Sequence, residues 1–288
     1  MPAHRGCAWY DPHALSDDFA PVSGVSTLPA TNCSLPLLTF HTVHDEPSVI
    51  AFPPAVFARG MRRLHESGYR TLSLLDAADR VRRNARFPAR SFVLTFDDGY
   101  QTVYEEAFPV LQRYGISATV FLTVGYTQRG SKTGPLPPLE SRSMLSWEEI
   151  REMQRAGFSF GAHTCTHRDL TRLSSHEVQA EIDDSKSMIE DALGAAVSCF
   201  AYPYGRYDAR VADFVRPRFL CACSDTLGLI TRRSDLYALE RVDAYYLRTD
   251  RLFDVMLTAL FPWYVRMHSV RLHRAESVHP GPSTIGLG

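Results

Sequence analysis

The 288-residue sequence predicts an α/β fold: a distorted or incomplete (β/α) barrel with a parallel sheet and outer helices. Three observations support this. Short apolar segments alternate with helix-patterned ones between residues 37 and 223. The number of such units suits an incomplete barrel better than a full ring of eight. The polar residues with chemical potential follow the ends of the apolar segments, the face on which such barrels place their sites.

Residues 1–36 read as an irregular N-terminal extension, residues 37–245 as the principal domain, and residues 246–288 as a C-terminal helix and flexible tail. Leu37 to Phe40 is a short apolar strand. Ala55 to Ser67 is a helix, with Pro53-Pro54 at its entrance, where Pro suits a helix start. Phe92 to Phe96 is a buried strand, and Val103 to Tyr114 a helix ended by Gly115. Ala118 to Thr123 is a strand rich in β-branched and aromatic residues. Thr127 to Ser143 is a long polar loop, of the kind that often serves function.

Ser146-Trp-Glu-Glu149 has the form of a capping box and opens a helix to Ala156. Phe158 to Ala162 is the next strand. Ser174-Ser-His-Glu177 is a second capping box, before a helix whose apolar stripe is Val178, Ile182, Ile189 and Leu193. Ala196 to Tyr202 is a strand, Ala209 to Val215 a helix, and Phe219 to Cys223 a strand. Leu252 to Val265 is apolar but interrupted by Asp254 and Pro262, so it reads as a helix packed on the domain rather than a membrane contact.

Two motifs hold the chemistry. Leu94-Thr-Phe-Asp-Asp-Gly-Tyr100 follows one strand, and His163-Thr-Cys-Thr-His167 follows another. Together they offer two adjacent carboxylates and two histidines one helical turn apart. Two imidazoles and one carboxylate make a three-ligand site for a cation such as zinc, with a position left for water. The spare carboxylate can act as a base on that water. Asp97 and Asp98 leave an extended chain in opposite directions, so both reach one cavity only where the strand ends and bends. Gly99 supplies freedom for that bend.

Thr95-Phe-Asp-Asp-Gly99 and His163-Thr-x-x-His167 resemble the first two motifs of the polysaccharide deacetylases, carbohydrate esterase family 4. Phe200-Ala-Tyr-Pro-Tyr-Gly205 resembles the third, and the likeness covers roughly residues 37 to 245. Leu37-Leu-Thr-Phe-His-Thr-Val43 resembles the opening of the branch that contains poly-N-acetylglucosamine and exopolysaccharide deacetylases. The resemblance implies Asp97 as general base and Asp98, His163 and His167 as metal ligands. It implies the Tyr204 backbone N–H as an oxyanion donor.

The chain departs from that pattern in three places. Ala201 stands where the third motif usually has an Arg that orients the base; Arg241, in Leu239-Glu-Arg-Val242, or Arg206 is expected to substitute. The fourth motif, an Asp-Trp pair, is not evident. The late Leu-x-His that supplies the acid is missing too, leaving His41, His44 or a metal-bound solvent molecule to protonate the leaving amine.

A formal net charge of −1, with no basic aromatic-interleaved patch and no Gly-rich phosphate loop, gives no basis for nucleic-acid binding. The six cysteines match no structural zinc pattern and read as free thiols, with Cys165 packed away from the metal. The N-terminus lacks the apolar run of a signal peptide, so a cytoplasmic location is expected, with export not excluded. Tyr100, Tyr126, Tyr202, Tyr204 and Tyr207 lie near strand ends, where they serve either as sugar platforms or as ordinary half-buried rings.

The expected activity is metal-dependent removal of N-acetyl groups from an N-acetylated sugar or polysaccharide, with Zn2+ as the first choice of metal. The alternatives are a non-catalytic glycan-binding homologue and another amide hydrolase, such as a deformylase or cyclic-amide hydrolase.

Overall fold

A computed structural model describes residues 31–125, 136–139 and 141–278. Most of the N-terminal extension, Cys7, Tyr126, most of the loop expected at 127–143, and the end of the tail lie outside the described residues. In chain order the main elements are β1 (Leu37–Phe40), α1 (Pro54–Glu66), β2 (Arg70–Thr71) and α2 (Leu74–Arg82). Then come β3 (Ser91–Phe96), α3 (Phe108–Arg113), β4 (Thr119–Leu122), α4 (Trp147–Arg155) and β5 (Ser159–Ala162). They are followed by α5 (Ser175–Leu193), β6 (Cys199–Ala201), α6 (Ala209–Val215), β7 (Cys221–Leu227) and β8 (Leu239–Asp243). Two helices, α7 (Asp250–Val255) and α8 (Phe261–Val278), end the described chain.

Seven parallel strands close into a barrel in the order β1, β8, β7, β6, β5, β4, β3, with β3 pairing back onto β1. β2 adds a short parallel pairing at the start of β3. The barrel is therefore closed and one strand short of the eight-stranded form; six of its seven strands are those expected from the sequence, and β8 is the addition. Residues 31–35 form two small antiparallel pairings outside the barrel sheet: Thr31–Asn32 with Phe87–Pro88, and Ser34–Leu35 with Ile230–Thr231.

Strand alternation sorts the side chains. Outward positions such as Leu38, Phe40, Leu94, Phe96, Val120 and Phe200 form the large core beneath the helices. Inward positions form a second, smaller core: Leu37, Val93, Phe121, Cys199, Cys221, Cys223 and Leu239. α2 contributes Leu74, Ala77, Ala78 and Val81 to that inner core. Its apolar spacing of three and four, after the Ser73 cap that accepts from the Asp76 N–H, marks it as a helix. This helix is not among the elements expected from the sequence.

The barrel interior is tightly filled. A Cβ on Gly161 would lie 2.5 Å from the Phe121 ring and 2.9 Å from Cys199 Sγ. Gly161→Ala is expected to lower unfolding stability by about 1–3 kcal/mol, the usual cost of overpacking, as read by urea unfolding. An unchanged midpoint and slope would show that the interior has room to spare.

Two expected helices differ in detail. Over 103–114 the chain opens with a wide π turn, Val103–Ala107, before α3. Pro109 cannot donate to the carbonyl four residues back, and the preceding Phe108 N–H bonds to Val103 O instead. Over 252–265 the single expected helix is two, α7 and α8, with Pro262 in the first turn of α8. Phe253 of α7 packs on Gly60 of α1, and Phe261 and Val265 of α8 are buried. Among the described residues no helix is long and apolar enough to cross a membrane.

Candidate active site

The site forms at the C-terminal ends of β1, β3, β5, β6 and β8. Past Phe96 the chain turns sharply: Asp98 has φ +70° and Gly99 φ +88°. The bend thus begins at Asp98 itself, one residue before the expected glycine. It is pinned by Asp97 N–H donating to Phe40 O at 2.8 Å and by Thr123 N–H donating to Asp98 O at 3.0 Å. Both carboxylates are consequently buried at the barrel mouth.

His163 and His167 do not lie on a helix. They bracket an irregular turn after β5, in which Thr164 (φ +68°) and His167 (φ +56°) are left-handed. His167 N–H donates to Thr164 Oγ1 at 3.0 Å. A four-residue spacing suits a helical turn equally well, which is why spacing alone misleads here. The turn still brings the rings together, with centroids 4.9 Å apart.

Asp98 Oδ1 lies 3.4 Å from His163 Nε2 and 3.2 Å from His167 Nε2. It is buried and makes no hydrogen bond. The ligand atoms of Asp98, His163 and His167 all lie within 4.8 Å of one another. An orphaned carboxylate oxygen facing two imidazole nitrogens fits a divalent cation, because a buried polar atom left unpaired is costly. His163 Nδ1 sits 2.7 Å from Ala201 O, which assigns the proton to Nδ1 and leaves Nε2 as the ligand atom. Burial, aided by the charge of His163, pushes the His167 imidazole down to about 4, so it is neutral and able to ligate at pH 7. Burial opposes the charge on Asp98. Its contact with His163, with the His41 and His167 imidazoles nearby, outweighs burial and holds it well below the usual carboxylate range.

Asp97 faces the opposite partner. Arg241, buried on β8, places Nη1 2.8 Å from its carboxylate. The same nitrogen is 2.8 Å from Thr39 Oγ1, and Arg241 Nε donates to Ser224 O at 2.6 Å. Thr39 in turn contacts Thr95 Oγ1 at 2.8 Å. Burial alone would raise Asp97. The Arg241 guanidinium, with the His163 and His41 imidazoles, outweighs it and holds the carboxylate ionised. Arg206 is elsewhere: its Nη1 donates to Asp169 Oδ2 at 3.0 Å, so it does not substitute at Asp97.

Of the two histidine candidates for the acid, His41 stands at the site, with Nε2 3.9 Å from Asp97 Oδ2 and its side chain half-buried. His44 turns to Glu46 at 3.3 Å. Tyr204 lies in a short 3-10 turn, Pro203–Gly205, with φ +57°, and its ring is 4.6 Å from that of His167. A Cβ on Gly205 would lie 2.2 Å from Asp225, so the turn has no space for a larger residue. The Arg206–Asp169 pair ties this turn to the histidine turn. Among the tyrosines, Tyr100 and Tyr202 are buried and belong to the core, whereas Tyr204 and Tyr207 are exposed. Cys165 is buried in the outer core and outside the metal-ligand group.

Residues 84–216 match the model of the polysaccharide deacetylase family. Over that stretch, just under half of the chain, the protein is similar to this family. The putative polysaccharide deacetylase YxkH of Bacillus subtilis (strain 168) is 29% identical over 209 residues, covering 72% of this chain and 70% of that protein. A poly-beta-1,6-N-acetyl-D-glucosamine N-deacetylase of Staphylococcus aureus (strain MRSA252) is 27% identical over 133 residues, 43% of each chain, so this chain spans less than half of that relative's length. The Streptococcus pyogenes deacetylase PplD, solved with acetate, superposes with a TM-score of 0.65 at 26% identity, over 73% of this chain and 92% of that one.

Thr39, Thr95 and the Ser224 carbonyl surround Arg241 and are not among the residues singled out from the sequence. Thr39 and Thr95 carry a signal, a polar residue at an inward position of an otherwise apolar strand; Ser224 meets Arg241 through its backbone carbonyl and carries none. β8 itself is missed because Glu240, Arg241 and Asp243 disguise a five-residue strand as a charged loop.

Proposed function

We propose that the protein removes N-acetyl groups from an N-acetylated glycan by metal-assisted hydrolysis, with zinc as the ion. Asp98, His163 and His167 would hold it. When bound, the ion supplies a Lewis acid for the amide carbonyl and a water acidified toward pKa ~7. Asp97 accepts the proton of the attacking water, and Arg241 keeps that carboxylate ionised and aimed. The backbone N–H of Tyr204 is assigned to the developing oxyanion, where one donor is worth about 3 kcal/mol. His41 is assigned to protonate the departing nitrogen as the carbon–nitrogen bond breaks, releasing acetate and a free amine.

The observation that carries this reading is the division of the Asp-Asp pair. Asp98 turns an unsatisfied oxygen to two imidazoles, while Asp97 is clamped by a buried guanidinium. Ligand and base are thereby separated by one peptide bond. The buried Arg241 supports a substitute for the Arg absent at Ala201; that absence and the missing acid are the grounds for a non-catalytic reading.

Given the named substrate of the staphylococcal relative, β-1,6-linked N-acetylglucosamine oligomers are the first substrates to test. Zinc-loaded protein should release acetate from at least one member of a panel of N-acetylglucosamine oligomers of differing linkage. Release should stop with chelator and return with zinc. Protein that binds one equivalent of zinc yet releases no acetate from any member would contradict the proposal.

A further inference from the structure

Glu181 is a carboxylate in the wrong place for an ordinary amphipathic helix. It lies on α5 one turn from Val178 and beside Ile182, within the stripe that packs on the barrel, and it is fully buried. Such a position is costly for a charge unless nearly every lone pair is met. Three hydrogen bonds reach it from one short segment. Oε2 accepts the backbone N–H groups of Cys165 and Thr166, each at 2.9 Å, and Oε1 accepts the Thr166 hydroxyl. These are two of the three residues between His163 and His167.

The segment needs such a brace. It leaves β5, passes through left-handed Thr164, and reaches left-handed His167, where the Thr164 hydroxyl accepts the His167 N–H. No helix or sheet ladder pairs the Cys165 and Thr166 amides. The Glu181 carboxylate does so from a long, rigid element that enters and leaves the core independently of the site.

We infer that Glu181 is a positioning residue for the metal site: it holds the 164–167 turn so that both imidazole Nε2 atoms converge on Asp98. The inference rests on the proposed metal site but not on the proposed substrate. Groups that orient metal ligands typically change affinity by about 10–100-fold when removed.

The test is zinc titration of the full chain by competition with a chromophoric chelator, alongside the thermal midpoint of the metal-free protein. Glu181→Ala should weaken zinc binding by about 10–100-fold. Glu181→Gln should stay close to wild type, because its carbonyl can accept both amides while its NH2 donates to the Thr166 hydroxyl. A folded Ala variant with wild-type zinc affinity, whatever its midpoint, would overturn the inference, since a purely structural brace shifts only the midpoint. Should the Ala variant not fold, Glu181→Asp carries the test: one methylene shorter, it should draw the turn toward α5 and weaken zinc binding, and wild-type affinity in it would be equally fatal. Wild-type protein that binds no zinc would remove the metal site itself and this inference with it, whereas tight zinc binding without acetate release would sink only the proposed substrate.

Discussion

Asp97→Asn is expected to lower turnover by about 10²–10⁴-fold, the usual contribution of a general base, while zinc still binds at one equivalent. Asn fits the same space and still accepts a hydrogen bond from Arg241. What it loses is the capacity to take a proton. Asp98, His163 and His167 do not depend on it, so metal content should be unchanged. His163→Ala is the contrasting variant, since it removes a ligand and should lose both metal and turnover. The measurements are initial rates of acetate release and metal content of the purified variants. Near-normal rates in Asp97→Asn would move the base to another group.

Arg241→Met should be the most destabilising change at the site. It leaves the Asp97 carboxylate buried without its main counter-charge, and it takes the donor away from Ser224 O. Breaking a buried pair from one side typically costs about 3–5 kcal/mol. Unfolding by denaturant should therefore move to a lower midpoint, and turnover should fall with it. A double variant, Asp97→Asn with Arg241→Met, separates charge from volume: neutralising the stranded carboxylate should restore part of the lost stability. If the two single effects simply add, the pair is not coupled in the way its geometry implies.

The Asp-Asp and His-x-x-x-His motifs and their strand-end placement were legible because each is local. A carboxylate pair before a glycine, or two histidines close together, is written in adjacent letters. The same holds for the capping boxes at Ser146 and Ser174, both formed as expected. What was hidden is long-range. Arg241 meets Asp97 across 144 positions, and only barrel closure puts β8 beside β1 and β1 beside β3. Glu181 reaches the histidine turn from a helix whose amphipathic pattern it interrupts. The conformation of the turn itself is not written in the four-residue spacing, since spacing does not report the sign of φ.

Of the seven non-glycine residues with left-handed backbone among the described residues, four lie in this one pocket: Asp98, Thr164, His167 and Tyr204. Each such conformation costs on the order of 1–3 kcal/mol. The barrel wall and helices therefore subsidise a mouth that would relax if released. Substitutions that ease these turns, or selection for heat resistance alone, would favour a quieter backbone and a poorer convergence of Asp98 with the two imidazoles. Endurance and chemistry pull against each other at this rim, so a thermostabilised form is best sought in the helices and the lower barrel, away from these four residues.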